Sequence, residues 1–453
     1  MRVSVLMALG LIGSAFAAAA VGSQPAPAPA EAAAPANIID SKAQREVVAK
    51  LSDALRNDYV FPDVGAKAAD SIDAALAAGA YDGLSDAGAF AARLSSDVAA
   101  VAHDKHLSVR AQGGPPRGPA PGPEGSPKAM PRAEAGIVRA DKLAGDVGYI
   151  EVIGFPPLSA FRPPLDKAMS ALEGSRALII DDRRNDGGSP DAVAYLISFL
   201  VPPNRPIEIN HILSREPNTD RFKRETFNSQ PTPVSFARIP VYVLTSKDTF
   251  SGGEALAYDV QAHKLGKVVG EVTGGGANLT GPVELGHGMV ASIPDARAVN
   301  PITNTNWEGR GVQPDMAVPA QDALKVALQK LGATPASDIA SASVKQVFTP
   351  RSTPLPGTEA AARRFITGLA TGDLDYAGMT PEFGSFNREH LPMLRESLLL
   401  PLGELRSIRF EDVGAMGDEY RASFANGALL VSISFDGEGK VEGAMMRPVR
   451  AGE

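Results

Sequence analysis

Between residues 43 and 101 the apolar positions recur every three or four residues. Three such runs, at 43–55, 66–77 and 87–101, are broken by Asn57-Asp58-Tyr59 and by Tyr81-Asp82-Gly83. This is the period of a helix with one buried face, so the pattern predicts a small three-helix bundle. The period then changes. Short, mainly apolar runs at 147–153, 177–180 and 241–244 read as buried strands, and helical patterns at 165–172, 192–200 and 254–265 alternate with them. Such alternation predicts an α/β domain around a largely parallel sheet, closed by a helix over 322–331. Beyond 357, helical patterns at 360–370 and 389–399 precede four strand-like runs at 408–413, 419–424, 428–435 and 441–447. Helices followed by a meander of strands predict a separate α+β domain.

Four stretches carry neither period. Met1-Arg2 starts a charged-then-apolar segment over 1–20 that ends near the small-x-small site Ala15-Phe16-Ala17. It predicts a secretory signal peptide cut near Ala17, and hence a periplasmic or secreted mature chain. No later stretch is apolar and long enough to span a membrane. Residues 21–37 form a Pro/Ala tether. Residues 113–131 form a Pro/Gly-rich loop whose length predicts an excursion over the surface or near a site, and 333–356 reads as a linker. The chain thus divides into 1–20, 21–37, a helical bundle at 38–104, an α/β core at 105–332, the linker at 333–356, and a C-terminal domain at 357–450.

Composition narrows the chemistry. A net charge of −8 argues against nucleic acid or anionic membrane as the main partner. The absence of cysteine removes disulfides, thiolate metal sites and cysteine nucleophiles. No cofactor and no metal are expected.

The stretch Val241 to Tyr258 holds the sharpest candidate. Ser251-Gly252-Gly253-Glu254 stands where an apolar strand gives way to a helix. Its ordinary reading is a capping box, with Glu254 reaching back to the serine. Two glycines speak against a cap alone, because each costs a helix about 1 kcal/mol relative to alanine. Glycine does uncover backbone N–H groups for a substrate, so Ser251 could be a nucleophile beside half an oxyanion hole. A second strand-to-helix turn, Asp181-Asp182-Arg183-Arg184-Asn185-Asp186-Gly187-Gly188-Ser189-Pro190, can present further amides. His103-Asp104-Lys105-His106-Leu107 lies at the junction of bundle and core. Asn306-Trp307-Glu308-Gly309-Arg310-Gly311 carries the one tryptophan. Taken singly, each of these three reads as ordinary structure: a connection, a satisfied histidine, a packed turn.

Together the four motifs, from roughly 44 to 331, resemble the C-terminal processing peptidase superfamily. That group holds the tail-specific proteases, the tricorn core protease and the repeats of interphotoreceptor retinoid-binding protein. Asn57-Asp58-Tyr59-Val60-Phe61-Pro62 resembles the retinoid-binding-protein branch, and the space between Val109 and Val147 is too short for a PDZ domain. The resemblance implies an α/β fold with a ClpP/crotonase-like core. It implies Ser251 as nucleophile, His106 as base, Glu308 as its acidic partner, and an oxyanion hole from Gly252 and one of Gly187 and Gly188. The implied substrate is a peptide or protein, and the rival is a non-catalytic binder of an apolar small ligand. Two positions depart from relatives. Gly270-Glu271-Val272-Thr273-Gly274-Gly275-Gly276 stands where tail-specific proteases carry their lysine, and Lys105 stands where the tricorn type has a serine before its histidine.

Overall fold

Capping residues open the first and third helices where the sequence pattern begins. Asp40 accepts the N–H of Ala43 (2.8 Å) at the start of α1 (Ser41–Asn57), and Asp86 accepts that of Ala89 (2.7 Å) before α3 (Ala87–Ala102). Between them α2 (Pro62–Ala77) begins on a proline, which needs no N–H partner in a first turn. The computed structural model describes residues 38–111 and 132–449; the stretches read as a signal peptide (1–20), a tether (21–37) and a Pro/Gly-rich loop (113–131) lie outside them. Val47, Leu51, Leu55, Ile72, Phe90 and Leu94 form the apolar interior of the bundle. That interior continues into Leu285, Met289 and Ile293 on neighbouring strands, so the bundle is closed by the core rather than by itself.

Twelve strands belong to the core: β1 (Ser108–Ala111), β2 (Ile137–Leu143), β3 (Val147–Val152), β4 (Ala177–Asp181), β5 (Glu208–Arg215), β6 (Phe222–Asn228), β7 (Val241–Thr245), β8 (Lys267–Gly270), β9 (Asn278–Gly286), β10 (Met289–Val299), β11 (Met316–Ala317) and β12 (Ser343–Phe348). Between them run α4 (Leu158–Ala171), α5 (Pro190–Ser198), α6 (Gly252–Ala262) and α7 (Ala323–Lys330). The main sheet has the order β11-β8-β7-β4-β3-β2-β12, parallel from β11 to β3 and antiparallel beyond. β3 and β4 are buried along their whole length, as strands covered on both faces must be. On one face α4, α5 and α6 contribute Phe161, Leu196 and Leu256 against Ile150, Ile180 and Val243. On the other, Leu324 and Leu328 of α7 pack on Tyr149, Ile179 and Leu244.

Three differences from the sequence reading stand out. A second sheet, β1-β10-β5-β6 with β9 paired to β10, is antiparallel and was not visible in the pattern. The stretch read as a linker contains β12, which completes the edge of the main sheet and buries Phe348. Helix α4 starts at Leu158 rather than 165 and carries Pro163 and Pro164 inside it. The C-terminal domain has helices Glu359–Thr371 and Pro381–Leu394 over a four-stranded antiparallel meander, β13 (Leu405–Gly414), β14 (Gly417–Phe424), β15 (Gly427–Phe435) and β16 (Val441–Pro448). Its interior is its own, around Phe365, Leu369, Tyr420 and Ile433, and Arg132 ties it to the core through Asp412 (2.8 Å). No helix among the described residues is long and apolar enough to cross a membrane.

Candidate active site

Because β4 and β7 are parallel neighbours, the loops after them leave the same end of the sheet. Those loops are stitched together. Ser246 Oγ donates to Arg183 O (2.6 Å), Thr249 Oγ1 to Asp182 O (2.8 Å), and Phe250 N–H to Asn185 O (2.9 Å). The stitching forces Ser251 into a conformation with φ +53° and ψ −116°, which a non-glycine residue adopts at a cost of about 1–3 kcal/mol. Its N–H donates to the Glu254 carboxylate (3.0 Å), the back-reaching arm expected of a capping box.

The neighbouring loop explains the two glycines. A Cβ on Gly252 would lie 2.9 Å from the nitrogen of Gly188, and one on Gly253 would lie 2.9 Å from Asn185 O. Gly188 itself has φ +131°, and a Cβ there would meet Phe155 O at 1.9 Å. Of the paired glycines, Gly187 gives its N–H to Asn185 Oδ1 (2.8 Å). The N–H groups of Gly252 and Gly188, by contrast, have no acceptor among the described residues.

His106 follows the left-handed residue His103, which ends α3 with φ +53°. The His106 ring lies against Phe250, the residue before Ser251, with centroids 4.8 Å apart. A Cβ on Gly276 would fall 2.5 Å from His106 Cε1 and 2.4 Å from Phe250 Cζ, so only glycine leaves room for this pair. Burial lowers the imidazole below its ordinary value, and the nearby Asp104 charge offsets part of that. Its Nδ1 is buried without a partner.

Glu308 Oε2 accepts the N–H groups of Ala277 (2.5 Å) and Asn278 (3.1 Å), while Oε1 is buried without a partner. Burial pushes this carboxyl up to about 7. Donor atoms of Asp104, His106 and Glu308 all lie within 4.8 Å of one another. The spacing gathers the three groups without a hydrogen bond at His106 Nδ1 or Glu308 Oε1, and it is one that a divalent cation could use.

Two residues carry more than their sequence pattern signalled. Glu254 is fully buried and, besides Ser251 N–H, accepts Thr273 Oγ1 (2.5 Å) and the N–H groups of Gly275 (2.5 Å) and Gly276 (2.8 Å). It therefore holds the glycine turn that faces His106. Asp104, to which its motif assigns no role, accepts three hydrogen bonds through its carboxylate. The lysines go elsewhere. Lys247 is exposed and pairs with Asp248 (2.5 Å), which raises its ammonium further; Lys267 pairs with Asp315 (3.0 Å), and Lys105 donates to Gly274 O. Beside Glu308 an open groove of about 780 Å³ is lined by Tyr258, Gln261, Trp307, Arg310 and Gln313.

A strained serine at a strand-to-helix turn, with a histidine and two glycine turns around it, is the layout of a hydrolase site. Residues 146–318 match peptidase family S41, and residues 33–138 match the N-terminal domain of Peptidase_S41 in eukaryotic IRBP. The chain thus carries a peptidase family S41 domain over residues 146–318, preceded by the N-terminal domain of that family. Ser251, Gly187, Gly188, Gly252 and Glu308 fall in the first match and His106 in the second. The carboxy-terminal processing protease CtpB of Bacillus subtilis is 28% identical over 179 residues, which is 39% of this chain and 35% of that protein. The chain thus spans about a third of the length of that relative. A putative peptidase from Parabacteroides merdae is similar in structure at 19% identity, covering 66% of this chain and 95% of the other, with a TM-score of 0.47. The photosystem II D1 C-terminal processing protease is similar at 15% identity, with 62% and 94% covered and a TM-score of 0.42. The C-terminal domain lies outside both family matches.

Proposed function

We propose that the chain is an exported serine peptidase that cuts a peptide or protein through an acyl-enzyme on Ser251. One observation carries this reading: the positive φ of Ser251, held against two uncovered amides. A helix cap has no use for that strain, whereas a nucleophile needs its hydroxyl lifted clear of the helix it opens. In the proposed reaction His106 takes the Ser251 proton as Oγ attacks the scissile carbonyl. The N–H groups of Gly252 and Gly188 receive the oxyanion; Gly187, whose own N–H is engaged, shapes the turn. His106 then gives the proton to the departing amine. Water repeats the sequence to release the acid. Glu308 is the acid behind the histidine. Export rests on the segment 1–20 and its small-x-small site.

The rival, a binder of an apolar ligand on the same fold, has no requirement for this strain. A fluorophosphonate probe with peptide mapping of the adduct decides between them. Stoichiometric labelling on Ser251, lost in Ser251→Ala with melting temperature unchanged, is the expected result. A folded chain that takes no label at Ser251 overturns the peptidase reading.

A further inference from the structure

Lys105 stands where a serine could have linked His106 to its acid, and its amine is turned away onto the carbonyl of Gly274. The residue before it points the other way. Asp104 is 4% exposed and no cation pairs with it among the described residues. A buried carboxylate in that position has to be held by neutral donors. Three are present: the N–H of His106 on Oδ1 (2.9 Å), and Tyr59 Oη (3.0 Å) with Asn278 Nδ2 (2.7 Å) on Oδ2. Burial, followed by the Asp104 charge, keeps the Tyr59 phenol protonated far above its ordinary range, so it stays a donor. Asn278 also gives its backbone N–H to Glu308 (3.1 Å), which makes it the bridge between the two acids.

We propose that Asp104 is the fixed negative charge that positions His106, and that Tyr59 brings the helical bundle into the site as the anchor of that charge. The inference rests on the Ser251–His106 reading above and gives its base a second, better-held acid. Asp104 touches neither substrate nor Ser251; it is a positioning residue. The contrast with Glu308 is geometric. Asp104 has every oxygen engaged and a direct hydrogen bond to the His106 backbone, whereas Glu308 keeps one oxygen unpartnered. Tyr59 lies in the α1–α2 connection, itself fixed where Arg215 donates to the carbonyls of Arg56 (3.0 Å) and Tyr59 (2.9 Å). The bundle is therefore tied to the base by a chain of hydrogen bonds: Arg215 to Tyr59, Tyr59 to Asp104, His106 to Asp104.

The charged or titratable groups around the imidazole are Asp104 from its own loop, Glu308 from the loop after β10, Lys105 next to it in the chain, and Glu254 behind the glycine turn. Only the first should set its titration. The test is an NMR titration of the His106 ring in full-length Ser251→Ala protein, repeated with Asp104→Asn, Glu308→Gln and Tyr59→Phe added singly. Loss of a negative charge within a few ångströms lowers a histidine by about one unit. Asp104→Asn is expected to do this and Tyr59→Phe to move it the same way by less, while Glu308→Gln leaves it nearly in place because burial pushes the Glu308 carboxyl up to about 7, so it carries little charge where the imidazole titrates. In the active background Asp104→Asn should lower kcat about tenfold or more with KM within twofold, while the acid limb of the rate moves to lower pH. Tyr59→Phe keeps the buried ring, so it remains readable if Asp104→Asn does not fold. A His106 titration unmoved by Asp104→Asn or Tyr59→Phe but moved by Glu308→Gln overturns the proposal. Because the NMR readout needs no turnover, it stands even if Ser251 proves unreactive.

Discussion

A methyl group at position 252 would stand 2.9 Å from the Gly188 nitrogen, in the space between the two uncovered amides. At position 253 it would press instead on the carbonyl and side chain of Asn185, away from those amides. The two glycines therefore have separable costs. Gly252→Ala is expected to lower kcat on the order of a hundredfold, the loss seen when one oxyanion donor is removed. Gly253→Ala should mainly destabilise, by about 1–3 kcal/mol of overpacking, with kcat per folded molecule retained. Measured kcat alongside chemical denaturation of both variants checks this; equal kcat losses would mean that both glycines serve packing alone. Proline at 252 is a poorer probe than alanine because its ring adds to the same clash. At this scale the sequence was informative where a residue type is unusual for its place, as with glycines in a first helical turn. It gave Glu254 only the reach back to Ser251, and Asp104 no role. Their partners, Gly275 and Asn278, come from segments remote in sequence, and an acceptor's obligations do not show in a motif.

Helix α6 does more than present Ser251 at its first turn. At its far end Asp259 is fully buried and accepts Asn210 Nδ2 (2.6 Å) from β5 and Asn300 Nδ2 (2.8 Å) from the segment after β10. Burial raises this carboxyl from 3.8 to about 7, outweighing both amide hydrogen bonds. Between those values the folded state holds a proton that the unfolded chain has released. Stability from this group is therefore complete below 3.8 and is lost as pH rises through about 7. Asp259→Asn is expected to flatten the fall in melting temperature across that window, and an unchanged slope would place the effect elsewhere. Of the parallel strands, β3, β4 and β7 were legible because each is a short, mainly apolar run, whereas β8 and β11, of four and two residues, are too short to show a pattern. β5, β6, β9 and β10 were not, since their burial is interrupted and charged residues lie along them. β12 was hidden for a related reason: of its six residues only Phe348 is buried, and Val344 is 70% exposed.

For the whole molecule, the sequence divided the chain into a bundle, a core and a C-terminal domain, each with a recognisable pattern. What it could not show is how they share surfaces. The bundle's apolar interior is completed by β9 and β10, and Tyr59 crosses from the bundle to Asp104, so the first of these boundaries runs through the candidate site. The C-terminal domain differs in kind, with a separate interior and a polar attachment through Arg132 and Asp412. Sharing an interior is a matter of which apolar faces meet, and a periodic pattern reports only that a face exists.

The four donors gathered by the Glu254 carboxylate come from two places in the chain, the turn that opens α6 and the loop at 273–276. One side chain thus supplies the acceptor for amides on either side of the serine and histidine. Neither segment can loosen without leaving a buried charge or a buried donor unanswered, at about 1–3 kcal/mol each. Their fluctuations should be correlated as a consequence. In hydrogen–deuterium exchange the amides of Ser251, Gly275 and Gly276 are expected to exchange at matched rates, and Glu254→Gln to accelerate all three together. Acceleration of Ser251 alone would show two independent loops. Matched rates would mean that the Ser251 hydroxyl and the glycine turn facing His106 are mobile or immobile as a pair, with no population in which one is in place and the other is not.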